Sequence, residues 1–158
     1  MKNVLFIFFL SLFSLCFFVS CDPEEGAILL DVDFTISPSK NSYSTEEDIQ
    51  VNFSLIPDFS LFDKYTFKIT LEEYDETTKS YKNTNDSFFV ENSKNEVSFS
   101  YAEEDTKDKT KVNKTFPIKL IRSGEFACFI AGHGWYITDK GGESAVGYFN
   151  RICFSVSE

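Results

Sequence analysis

The chain reads as all-β: a single antiparallel β-sandwich of about seven or eight strands, preceded by a cleaved export signal. Two observations carry this. Short runs with strict apolar/polar alternation recur along the chain, separated by turn-forming clusters. No stretch beyond the first twenty residues has helical periodicity.

The elements follow in order. In Ala27–Ile36 the second half alternates Val32, Phe34 and Ile36 against polar neighbours, which predicts a first strand. Ser37-Pro38-Ser39-Lys40-Asn41-Ser42 is a turn cluster, and Ile49, Val51, Phe53 and Leu55 then alternate with Gln50, Asn52 and Ser54. That strict period of two marks a half-buried strand, the clearest in the chain. Pro57-Asp58 ends it, and Tyr65, Phe67, Ile69 and Leu71 repeat the pattern against Thr66, Lys68, Thr70 and Glu72. Asp75–Ser80 reads as a hairpin turn with a weaker polar return through Tyr81 toward Phe88-Phe89-Val90, an edge strand. Val97, Phe99 and Tyr101 alternate with Ser98 and Ser100. Ala102 to Lys114 is almost entirely charged and polar, and Phe116, Ile118 and Leu120 follow. Pro117 inside that run points to an edge position or a strand start, because proline cannot donate to a ladder. The last third, Glu125 to Val156, is dense in aromatics and glycine.

The stretch Phe34-Thr35-Ile36-Ser37-Pro38 through Tyr43 to Ile49-Gln50-Val51-Asn52-Phe53 resembles the opening strands of immunoglobulin-like or fibronectin-type domains of bacterial surface proteins. The resemblance covers about 25 residues and lacks a Cys…Trp…Cys signature. It implies an immunoglobulin-like arrangement of the sandwich.

Met1 to Cys21 reads as an address. Lys2 supplies a positive region, Val4–Val19 is apolar except for Ser11 and Ser14, and Ser20 is the small residue expected before a cleavage point. The run is short for a membrane span, which needs about 20 apolar residues. Phe18-Val19-Ser20-Cys21 resembles the lipobox of bacterial lipoproteins, with Phe18 where Leu is usual. The resemblance implies cleavage before Cys21 and lipidation of that cysteine by a diacylglyceryl group and an N-acyl chain, a durable anchor. Cys16, preceded by bulky Leu15, is the weaker candidate. The organisation expected is therefore a signal over 1–20, an acidic tether over 21–26 and the sandwich over 27–158. The localisation implied is the bacterial cell envelope, with periplasmic and surface-exposed faces both open.

Removal of residues 1–20 takes one lysine and no acid, leaving 14 basic and 25 acidic residues, a formal charge of −11. Nucleic acid, which needs a basic patch, is excluded as a partner, since the one lysine cluster (Lys107, Lys109, Lys111, Lys114) is interleaved with Asp105 and Asp108. The same charge disfavours contact with anionic lipid, so membrane attachment rests on the covalent lipid at Cys21. The processed chain has 138 residues, near the commonest single-domain size, and keeps 13 Phe, seven Tyr and Trp135 for a core.

Candidate sites are few. Cys128 and Cys153 remain once Cys21 is lipidated. A two-residue turn at Lys140-Gly141 would set them directly opposite each other, so a disulfide is expected, with two free thiols as the alternative and a bulge at Gly132 or Gly134 as the feature that would spoil the register. His133 is the only histidine, which excludes metal sites built from imidazoles, and no Gly-x-Ser-x-Gly elbow accompanies it. No catalytic residue, metal site or cofactor is assigned. Glu103-Glu104-Asp105 with Asp108 lacks the spacing of a calcium loop and reads as a solvated charged loop. Gly132 to Gly147 is expected to form an exposed loop or hairpin tip in which His133, Trp135, Tyr136, Asp139 and Lys140 meet a protein or glycan partner; the competing reading has Trp135 and Tyr136 packing the sheet. The functional expectation is a lipid-anchored, non-catalytic binding module. The alternative is an assembly lipoprotein that docks to other envelope proteins, and a bare, charge-poor sheet edge would favour it.

Overall fold

Ten strands form two packed sheets in the computed structural model, which describes residues 30–105 and 110–158. The signal, Cys16, Cys21, the tether, Lys107, Asp108 and Lys109 lie outside the described residues. The strands are β1 (Asp31–Ser37), β2 (Ser42–Ser44), β3 (Ile49–Ile56), β4 (Lys64–Asp75), β5 (Ser80–Asn83), β6 (Ser87–Phe89), β7 (Glu96–Ala102), β8 (Val112–Leu120), β9 (Gly124–Ile137) and β10 (Glu143–Ser157). The only helical turn among the described residues is a 3-10 turn at Glu103–Asp105.

One sheet has the order β1-β3-β8-β6. The other runs β2-β10-β9-β4, with β5 and β7 both on the far side of β4. All pairings are antiparallel except β2 against β10, which is parallel over three residues. With β1, β3, β8 and β6 standing as strands A, B, E and D, and β4, β9 and β10 as C, F and G, this is the strand order of an immunoglobulin-like sandwich. Ten strands rather than seven or eight arise in two places. Ser42–Ser44, which starts on the last residue of the turn cluster, pairs with β10, and the return after β4 divides into β5 at the edge of one sheet and β6 at the edge of the other.

The alternation seen in sequence becomes burial. Ile49, Val51, Phe53 and Leu55 of β3 are at most 1% exposed, and face Tyr65, Phe67, Ile69 and Leu71 of β4 and Phe126, Cys128 and Ile130 of β9 across the core. Phe53 is the hub of an aromatic cluster, with ring centroids 4.7 Å from Phe67 and 4.9 Å from Phe99, and Phe99 continues it to Phe116 at 5.4 Å. Edge-on and offset ring contacts of this kind add to the gain from area burial.

Two expectations are corrected. β8 lies inside its sheet, between β3 and β6, although it contains Pro117. The Val90 N–H donates to the Pro117 carbonyl at 2.9 Å on the β6 side. In a strand the N–H and C=O of one residue point the same way, so the missing proline N–H falls just past the end of β6 and costs no bond to β3.

The second correction concerns Cys128 and Cys153. Ile137 pairs with Glu143, and the turn closes on Thr138 and Gly142: the Thr138 N–H donates to the Gly142 carbonyl and the Gly141 N–H to the Thr138 carbonyl, both at 2.8 Å. Asp139-Lys140-Gly141 is thus a three-residue loop in which Gly141, at φ 76°, occupies the left-handed position that glycine fills without strain. The extra residue moves the register by one. Cys128 pairs with Ile152 and Cys153 with Ala127, with no bulge between them and the turn. A one-residue shift sends side chains to opposite faces, so Cys128 is buried in the core, Cys153 is exposed on the outside, and both thiols are free. Burial pushes the Cys128 thiol well above its ordinary pKa. In the folded protein a maleimide should label Cys153 and leave Cys128 untouched until denaturant is added; a Cys128–Cys153 linked peptide in a non-reduced digest would contradict this register.

Candidate functional site

The outward-facing positions of β9, β10 and β4 build a surface that differs from the opposite face of the molecule. On the β1-β3-β8 sheet the outer residues are mostly polar, among them Asp33, Thr35, Gln50, Asn52, Asn113 and Thr115, with Ile56 and Pro117 the apolar exceptions. On the β10-β9-β4 sheet the corresponding rows read Ala145, Trp135, Lys64; Gly147, His133, Thr66; Phe149, Ala131, Lys68; and Arg151, Phe129, Thr70.

Trp135 sits on the sheet rather than in a loop. Its indole N–H donates to the Thr66 hydroxyl at 2.9 Å, the Lys64 ammonium lies 5.4 Å from the ring centroid, and the His133 ring lies 5.6 Å away. The Asp63 N–H donates to the Trp135 carbonyl at 2.7 Å and its carboxylate accepts from the Ile137 N–H at 2.9 Å, which pins the end of β9 to the start of β4. Gly132 and Gly134 make this close packing work from the other side. Each faces the core, where a Cβ on Gly132 would come within 2.2 Å of the Phe67 ring and one on Gly134 within 2.8 Å of Leu30 and Phe62. Glycine here gives the rings their place against the backbone, and β9 continues through both positions without a bulge.

Of the five residues expected to meet a partner together, the structure joins two. His133 and Trp135 share the outer face. Tyr136 turns inward, its ring 6.1 Å from that of Phe62, and Asp139 and Lys140 lie exposed in the turn beyond the strands. The exposed tip therefore spans 138–142 rather than Gly132 to Gly147.

Phe149 is the residue that sequence reasoning missed. It is 78% exposed, the most exposed large apolar side chain described, and stands opposite Ala131. Its signal was present: Tyr148 and Phe149 are adjacent in a strand, so only one of them can face the core.

Beside Ala131, Thr66, Lys68, Ser98, Ser100 and His133 line a trough of about 530 Å³, with Phe67 and Phe99 beneath it. Its floor is made of small side chains and its walls of cationic and ring-bearing ones. His133 enters the trough, but no carboxylate lines it. Further along the face Arg151 lies over Tyr81 at 5.4 Å and Phe129 at 5.0 Å, and 2.9 Å from the largely buried Glu72 carboxylate. The Cys153 thiol next to the Tyr81 hydroxyl, aided by burial, pushes that hydroxyl up to about 12. No cluster of three or more metal-ligating side chains exists among the described residues.

No protein-family model matches the chain, and no curated protein matches it. Among solved structures it is similar to BcpA, the major pilin subunit of Bacillus cereus, at 10% identity and a TM-score of 0.47, over 81% of this chain and 40% of that subunit. The chain thus spans under half the length of the pilin subunit.

Substitutions at the two kinds of glycine should separate packing from surface. Gly132→Ala should lower stability by roughly 1–3 kcal/mol, because the Phe67 ring must be displaced. Gly147→Ala, whose nearest neighbour is the His133 ring at 4.0 Å, should be neutral or stabilising by up to about 1 kcal/mol. Urea midpoints of the two variants against the parent measure both.

Proposed function

We propose that this chain is an exported cell-envelope protein, held to the membrane by lipid on Cys21, whose sandwich acts as a non-catalytic binding module. The outer face of the β10-β9-β4 sheet is its contact surface for a protein or glycan. The observation that supports the binding role is the contrast between the two outer faces: one of mostly polar rows, and one that exposes Phe149 beside the His133–Trp135 pair and a trough floored by Ala131, Ser98 and Ser100. Aromatic side chains held rigid by a sheet supply contact area at small entropic cost, and small neighbours leave a flat partner room to approach.

The anchor follows from the Phe18-Val19-Ser20-Cys21 motif and from charge. A domain of formal charge −11 has no electrostatic hold on an anionic membrane, so a covalent lipid is what would keep it there.

A second reading, an assembly lipoprotein, is favoured by β7. This seven-residue edge strand carries one charged residue, Glu96, and neither lysine nor proline, whereas the open half of β8 is guarded by Lys114 and Pro117.

Two measurements test the proposal. Cys21→Ala should abolish incorporation of an alkyne fatty acid while leaving the domain folded; persistent labelling would move the anchor to Cys16 or overturn it. A photo-crosslinking residue placed at Phe149 in living cells should give discrete adducts that the same residue at Asn52, on the opposite face, does not give. Equal patterns at both positions would reject the face as a binding surface. Stability of the Phe149 variant should stay within about 0.5 kcal/mol of the parent, since the side chain is exposed.

A further inference from the structure

The geometry points to β7 as a self-complementary edge through which two copies of this chain join their sheets about a two-fold axis at Phe99. The Leu71 N–H donates to the Asn95 carbonyl at 2.7 Å, which fixes the parity of β7: Val97, Phe99 and Tyr101 direct their backbone groups to β4, and Glu96, Ser98, Ser100 and Ala102 direct theirs to the free edge. Both ends of that edge are already closed by side chains. The Asn92 amide donates to the Glu96 carbonyl and the Asp105 carboxylate accepts from the Ala102 N–H, each at 2.9 Å. Between the caps, among the described residues, the N–H and C=O groups of Ser98 and Ser100 have no partner.

A strand joining its own copy across a two-fold axis must complement its own reverse. Val97-Ser98-Phe99-Ser100-Tyr101 does so: apolar, serine, Phe99, serine, apolar. Antiparallel pairing about Phe99 sets Ser98 opposite Ser100 of the second copy and Ser100 opposite its Ser98. The bare groups of Ser98 and Ser100 in each chain then bond to one another, four hydrogen bonds in all, and the Glu96 N–H of each chain faces the Ala102 carbonyl of the other. On the core side Val97 meets Tyr101 of the second copy and Phe99 meets Phe99. No charged residue faces a like charge: Glu96 falls opposite Ala102, and the acidic turn Glu103–Asp105 beyond one end approaches the exposed Lys94 beyond the other.

The other edges are short or charged: β2 and β6 have three residues each, β5 has four and includes Lys82, β1 carries Asp31 and Asp33, the open half of β8 carries Lys114 and Pro117, and the part of β10 that β2 leaves uncovered carries Glu143 and Arg151. The pairing does not need the lipid anchor, but Ser98 and Ser100 also line the trough of the outer face, so the oligomeric state of the chain, and not capture of a partner, is what tests it.

The test uses the full chain, exported and purified in mild detergent, in a Cys153→Ser background. Mixed Ser98→Cys and Ser100→Cys chains should form a disulfide-linked pair under mild oxidation several-fold more readily than either variant alone. The parent should sediment as a dimer of protein mass, and Ser98→Pro, which removes an outward N–H without touching the β4 ladder, should sediment as a monomer with its thermal transition retained. A parent that is monomeric at every concentration overturns the pairing. So does a dimer unaffected by Ser98→Pro and lacking the 98–100 linkage, or a linkage at these positions to a different protein only.

Discussion

The register of the β9–β10 hairpin is the constraint on which the rest of this molecule depends. Its two strands pair without interruption from the turn to Gly124 and Val156, and β4 lies against β9 along ten of its residues. The loop that sets this register is closed by two short backbone bonds at Thr138 and by Gly141 in a conformation few other residues adopt. Had the loop contained one residue fewer, every side chain on one arm would have changed faces relative to the other. Phe154 and Val156, now in the core, and Arg151 and Cys153, now outside, owe their surroundings to that loop as much as to their own chemistry.

Packing across the sandwich then follows from volume. Ring-rich strands meet strands with glycine at the points of closest approach, Phe67 over Gly132 and Phe62 over Gly134, so large and small residues interdigitate. The acidic surplus is carried outside this core, in part through surface ion pairs such as Arg122 with Glu73 and Asp86 and Lys68 with Glu96. Such exposed pairs contribute little each to stability. Tyr101 shows the opposite case: its hydroxyl is buried without a hydrogen-bond partner among the described residues, and burial pushes its pKa up to about 12.

Much of this was legible in the amino-acid order. The alternating runs that end in β1, β3, β4, β7 and β8 each fell where one face is buried and the other wet, which is the condition under which period two reports a strand. What escaped was set by tertiary contacts. Ser42–Ser44 is a strand because β10 lies beside it, not because of any preference in Ser-Tyr-Ser, and β6 leaves its predecessor's sheet through a choice no local pattern encodes. The site divided in the same way. His133 and Trp135 were identified by type, but their union on a face, the separation of Tyr136 from them, and the exposure of Phe149 all depend on a one-residue difference in loop length.

Trp135 carries one more consequence. It is the only tryptophan in the chain, and it lies on the outer face with its indole N–H tied to Thr66 and a cation and an imidazole on its flanks. The fluorescence of the protein in the red-edge excitation range is therefore light from that surface alone. Whatever comes to rest there changes the polarity and quenching around a single emitter, and the molecule reports its own occupancy without a label.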